Sequence, residues 1–99
     1  MNKINVKIVR ELLVGMDKTF AAKNERYGGS FEISLDKYGM IAALTRISDK
    51  FNRAENLILT DSCGTVDESL SDTLLDMANY CVMTVAYIKN GGGKGGKAK

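Results

Sequence analysis

The stretch VDESLSDTLLDMANYCVMTVAYIK, running from Val66 to Lys89, decides the fold. Within it Glu68, Asp72, Asp76 and Asn79 recur at spacings of four, four and three. An α-helix turns about 100° per residue, so these spacings gather all four side chains onto one face. Leu70, Leu74, Met77, Cys81, Val85 and Ile88 collect on the opposite side as an apolar stripe. One and two turns on, the acidic face continues as Met83 and Ala86, with Leu75 and Val82 close beside it. Carboxylates in apolar company are expected to be partly buried, where they must be paired, protonated or bound to a cation.

Working outward, Thr60-Asp61-Ser62-Cys63-Gly64-Thr65 reads as a loop, and Asp67 or Thr65 is the expected cap of the helix that follows. Before the loop, Met40, Leu44, Ile47, Phe51 and Ile58 form the expected buried stripe of a second long helix, with Arg46, Lys50 and Arg53 away from it. A short helical piece over Phe31–Lys37 runs through or bends at Gly39 into that helix. From Ile4 to Glu25, Val9, Leu12, Leu13, Met16 and Phe20 recur at helical spacing. Tyr27-Gly28-Gly29-Ser30 then supplies a stop and a start, because glycine takes the left-handed cap conformation and Ser30 can cap the next helix. No repeat, internal boundary or alternating strand pattern interrupts this order. The expected fold is all-α: a bundle of three long helices plus a short helical segment, forming one domain over residues 1–89.

Composition agrees. The 99 residues include no proline and 44% hydrophobic side chains, a make-up that favours helices; a chain this short buries a modest core, so oligomerisation is expected to complete the bundle. The absence of histidine excludes Ser-His-Asp and Cys-His nucleophile systems and histidine zinc sites. Cys63 and Cys81 form neither a Cys-x-x-Cys pair nor a disulfide framework; with no secretory signal and no bilayer-length apolar run, a cytoplasmic protein is expected. The net charge of +2 hides an acidic body, because Lys89, Lys94, Lys97 and Lys99 lie at or beyond the end of the last helix. Residues 90–99 are read as a disordered Gly/Lys tail with at most a weak attraction for polyanions, which is no strong sign of nucleic-acid binding.

Carboxylates at i, i+4 place several hard oxygens within reach of one cation, and Mg²⁺ combines a few carboxylates with waters and substrate phosphates. Glu68 and Asp72 are the strongest pair, with Asp49 on the second helix and Asp76 as further oxygens. Arg46, Lys50 and Arg53 beside them suit a phosphorylated substrate. Asn79 and Tyr80 suit recognition of a base and sugar through an amide, a ring and a hydroxyl. The same acids can instead form interhelical ion pairs with the same cations and stabilise a bundle without any ligand.

The segments Glu25-Arg26-Tyr27-Gly28-Gly29-Ser30-Phe31, Arg46-Ile47-Ser48-Asp49-Lys50-Phe51-Asn52-Arg53 and Glu68 through Tyr80 resemble the nucleotide modification associated domain 1 family, common in phages. That family is similar to the MazG-type all-α nucleoside triphosphate pyrophosphohydrolases. The resemblance implies a MazG-like fold, Mg²⁺ held by helical carboxylates to which Glu68 and Asp72 correspond, a nucleotide ligand, and a homo-oligomer. It also shows a departure: where those enzymes carry a Glu-x-x-Glu pair on the partner helix, this chain has Asp49 and Asn52. The expected function is nucleotide binding in phage-type nucleotide metabolism or DNA modification, in the host cytoplasm if phage-encoded. Mg-dependent pyrophosphohydrolysis is its fuller form. The alternatives are a non-catalytic nucleotide-sequestering protein and a helical protein–protein interaction module.

Overall fold

The computed structural model describes residues 3–27, 29–60 and 68–92, with residues 25–27 and Glu68 described through their backbone. Every regular element among them is helical. The chain divides into two compact units, residues 1–30 and 31–99.

The first unit is built on α1, Val6–Tyr27. Asn5 opens it: its Oδ1 accepts the backbone N–H of Ile8 at 2.9 Å, satisfying one of the donors a helix start leaves unpaired. The sequence reading began this helix two residues earlier and did not single out Asn5.

Next, α2 spans Ser30–Tyr38, one residue longer at each end than the expected Phe31–Lys37, with Ser30 as its first helical residue and not a cap before it. The chain breaks at Gly39 and does not run through it. With φ at +80°, Gly39 occupies the left-handed region, its N–H donates to Leu35 O at 2.8 Å, and its carbonyl accepts from Ala42 N–H at 3.0 Å. One residue thus closes α2 and opens α3, Ile41–Leu59. The Asp67 or Thr65 cap and Cys63 lie outside the described residues. The last helix, α4, spans Glu68–Lys89. It closes in a two-glycine cap: Gly91, at φ +95°, donates to Ile88 O at 3.1 Å, and Gly92 donates to Tyr87 O at 2.9 Å. Residues 90–92, assigned to the tail from sequence, therefore finish the helix; residues 93–99 lie outside the described residues.

Two cross-links set the register of α3 on α4. Lys50 meets Asp76 and Arg53 meets Thr73, so numbers rise on one helix as they fall on the other and the pair is an antiparallel hairpin. Along its seam Ala43 and Ala54 of α3 and Leu70 and Thr73 of α4 are all buried, and the register sets Ala54 near Thr73 and Ala43 towards the far end of α4. Leu35 of α2 is the most enclosed side chain among the described residues, at 2% exposure.

The stripes expected to be buried are mostly not. Leu44, Phe51 and Ile58 on α3, and Leu74, Cys81, Val85 and Ile88 on α4, are exposed. Alanine and threonine at the seam let the backbones approach closely, and the polar cross-links hold that orientation, so the bulkier residues stand to one side of it. No helix among the described residues is long and apolar enough to cross a membrane.

Candidate functional site

Arg46, Lys50 and Arg53 follow one another along α3 at spacings of four and three, and Asp72, Asp76 and Asn79 do the same along α4. The antiparallel register brings the two rows to one side of the seam. Lys50 Nζ lies 3.2 Å from Asp76 Oδ2, with both side chains about one third exposed, at 31% and 38%. Arg53 donates from Nε to Thr73 Oγ1 at 3.1 Å. The same hydroxyl donates to Ser69 O at 2.7 Å, so Thr73 is an acceptor and a donor at once while only 4% exposed. No buried side-chain nitrogen or oxygen among the described residues lacks a hydrogen-bond partner.

At the far end of this face Tyr80, half-buried beside the half-buried Asn79, meets Phe31 of α2 edge to face. The ring centroids are 5.0 Å apart and the planes inclined at 70°, a favourable aromatic geometry. About two turns further on, Tyr87 donates its hydroxyl proton to Asp36 Oδ1 at 2.6 Å. These two contacts tie α2 along the second half of α4.

The four acidic candidates part company. Asp76 is engaged by Lys50, as the ion-pair reading had it. Asp72 is exposed, against the expectation that apolar neighbours on α4 would draw the acidic row inside, and Asp49 on α3 is exposed as well. The Glu68 carboxylate lies outside the described residues, although its backbone begins α4. Among the described residues no three carboxylate or thiol groups lie close enough to hold a metal ion. Besides Asp76, the acids the sequence offers Mg²⁺ are Asp72, Asp49 and, one turn before Asp72 in the sequence, Glu68. A two-carboxylate set completed by water and phosphate oxygens is how Mg²⁺ is commonly held. Arg46 and Arg53 are exposed and Lys50 half-buried, which leaves guanidinium groups open to an anion.

Thr73, Phe31, Asp36 and Tyr87 were not singled out from the sequence. Thr73 carried a readable sign, a hydroxyl between the acidic row and the apolar stripe. The other three act through partners 49 or 51 residues away in the chain, a distance that periodicity does not span.

Together these features define a small all-α protein whose antiparallel helix pair carries one charged face ending in an aromatic pair. The chain belongs to the nucleotide modification associated domain 1 family, whose profile matches residues 23–88 and so takes in α2, α3, nearly all of α4 and every candidate residue named above. No curated protein and no solved structure matches the chain.

Proposed function

We propose that this protein binds a nucleotide on the charged face of the α3–α4 hairpin, as a MazG-like protein of phage-type nucleotide metabolism or DNA modification. The observation that carries this reading is the family match, because its span contains all the cations, carboxylates and aromatic groups assembled on that face. Arg46 and Arg53 offer guanidinium forks to phosphate oxygens, and Lys50 adds a point charge oriented by Asp76. Asn79 and the Tyr80 ring, steadied by Phe31, serve the base and sugar.

Glu68 and Asp72 are the residues that would hold Mg²⁺, with Asp49 as a further oxygen on the facing helix. A bound Mg²⁺ supplies neutralisation of phosphate charge and polarisation of a phosphorus–oxygen bond. The chain's own share is to place the phosphates between the α3 cations and the first turns of α4, and to exchange the Asp76 partner of Lys50 for a phosphate oxygen. Turnover to monophosphate and pyrophosphate also requires a carboxylate to orient the attacking water. Asp49 and Asn52 stand where related enzymes carry two glutamates, a difference that favours binding without turnover over hydrolysis. The setting proposed is the cytoplasm, that of the host for a phage-borne gene, with the protein acting as a homo-oligomer.

The Lys50–Asp76 pair favours a second reading, in which the charged face only joins helices or a partner protein. Incubation with nucleoside triphosphates and modified deoxynucleotides, with and without Mg²⁺, separates the readings. Monophosphate and pyrophosphate identify an enzyme, binding without product identifies a sequestering protein, and neither leaves the interaction module.

A further inference from the structure

Arg53 reaches the charged face from α3 and is anchored there by a hydroxyl of α4. Its Nε–H donates to Thr73 Oγ1 at 3.1 Å, while the Thr73 hydroxyl proton is committed to Ser69 O at 2.7 Å. A hydroxyl has a single proton, so directing it back along α4 leaves the lone pairs to accept from α3. The branched Cβ of threonine and its bond to the carbonyl one turn earlier hold that hydroxyl in a fixed rotamer. Thr73 is buried, whereas Arg53 is exposed. Packing therefore fixes the anchor, and the guanidinium beyond it meets solvent.

The guanidinium is planar, and its N–H groups form a rigid fork. Engaging Nε occupies the edge that Nε shares with one Nη and leaves the tip, Nη1 with Nη2, for a two-pronged contact. The anchor is also neutral, so it orients Arg53 without cancelling its charge. Lys50 differs, because its partner at 3.2 Å is the Asp76 carboxylate, which a phosphate oxygen must displace.

We propose that Thr73 is a positioning residue for phosphate, presenting the tip of the Arg53 guanidinium before any ligand arrives. This rests on the nucleotide reading above and adds the residue that sets one of its contacts. An unanchored arginine samples many rotamers, and ordering it on binding subtracts from affinity. Held by Thr73, Arg53 is partly ordered already in the free protein. Asp72 directly precedes Thr73 in the chain, so a phosphate drawn to Arg53 is drawn to the turn of α4 that carries this carboxylate.

A double-mutant cycle separates this role from a structural one. The full chain is titrated calorimetrically, with Mg²⁺ present, with dATP, dCTP, dGTP, dTTP and inorganic triphosphate, the last because the contact is with phosphate alone. The tightest of these probes is carried through Thr73→Val, Thr73→Ser, Arg53→Met and the double variant Thr73→Val/Arg53→Met, with circular dichroism checking helix content. Thr73→Val is expected to raise the dissociation constant about threefold to tenfold. Thr73→Ser keeps the hydroxyl and is expected to bind within about twofold of wild type. In the Arg53→Met background, Thr73→Val is expected to change affinity by less than about twofold, because the group it positions is gone. A wild type that binds none of the probes removes the nucleotide reading and this inference with it. A wild type that binds, with Thr73→Val equally tight or equally weakened in both backgrounds, overturns this inference alone. If Thr73→Val does not fold, heteronuclear NMR of the wild type decides. The Arg53 Nε–H signal, identified by its loss in Arg53→Met, is expected to exchange with water more slowly than that of Arg46, with and without the probe. Equal exchange overturns the proposal.

Discussion

The Thr73 hydroxyl serves two helices at once, closing a bond to the Ser69 carbonyl within α4 and receiving the Arg53 guanidinium from α3. Thr73→Val keeps the shape and removes both bonds. Because Arg53 is exposed and can turn to water, the expected loss in urea unfolding is modest, about 0.5–1.5 kcal/mol. Lys50 and Asp76 separate the structural and ligand roles more sharply. Their pair is partly exposed, so Lys50→Met is expected to cost no more than about 1 kcal/mol of stability. If Lys50 also meets a phosphate, the same variant should weaken nucleotide binding by about tenfold or more, as expected for loss of a charge-assisted hydrogen bond. Calorimetric titration of folded Lys50→Met reads that difference, and unchanged affinity would leave Lys50 a helix-joining residue alone.

At the scale of elements, helix ends and helix faces behaved differently as sequence signals. The break near Gly29 was legible because a left-handed residue has few alternatives to glycine; Gly39, read only as a place where the chain runs through or bends, has a positive φ as well. The same logic was available at Gly91 but was masked by the run of glycines after it, which read as a chain with nothing to fold onto. Gly91→Ala is expected to lower stability by about 1 kcal/mol through its left-handed backbone. Gly92→Ala acts by another route, since an added Cβ would stand 2.5 Å from the Tyr87 ring. The ring must shift, and with it the hydroxyl that reaches Asp36. Chemical-denaturation curves for the two variants test the cap, and a wild-type curve for both would show that α4 ends without it. Which face of each helix meets its neighbour was not legible. Periodicity says which residues stand together, and it correctly grouped Leu44 with Phe51 and Leu74 with Cys81. It does not say that Ala43 and Ala54 will win the seam, because that choice depends on the close approach of a second backbone and on cross-links such as Lys50–Asp76. At the candidate site, spacing told which charged residues share a helix face, as α3 and α4 bear out, but did not fix the pairings between the two helices.

Taken whole, the α3–α4 hairpin has two unlike sides, one carrying Arg46, Arg53, Asp72 and Asp76 and the other Leu44, Phe51, Leu74 and Cys81. The proposed nucleotide binding falls on the first. If Glu68 and Asp72 hold Mg²⁺, the protein without ligand carries neighbouring like charges one helical turn apart, and neutralising either should leave its stability unchanged or raise it slightly. If they serve as ion-pair anchors for the α3 cations, the same substitutions should destabilise the fold with or without metal. The deciding measurement is a set of thermal melts of wild type, Glu68→Gln and Asp72→Asn at one protein concentration, each with and without Mg²⁺ and a nucleoside triphosphate. The expected result is a wild type that gains stability only when both are present, by about 2.7 kcal/mol at a ligand concentration one hundred times Kd, and variants that melt at or above the unliganded wild type and lose that gain. A wild type indifferent to both ligands, with variants that melt lower than it, would contradict the assignment.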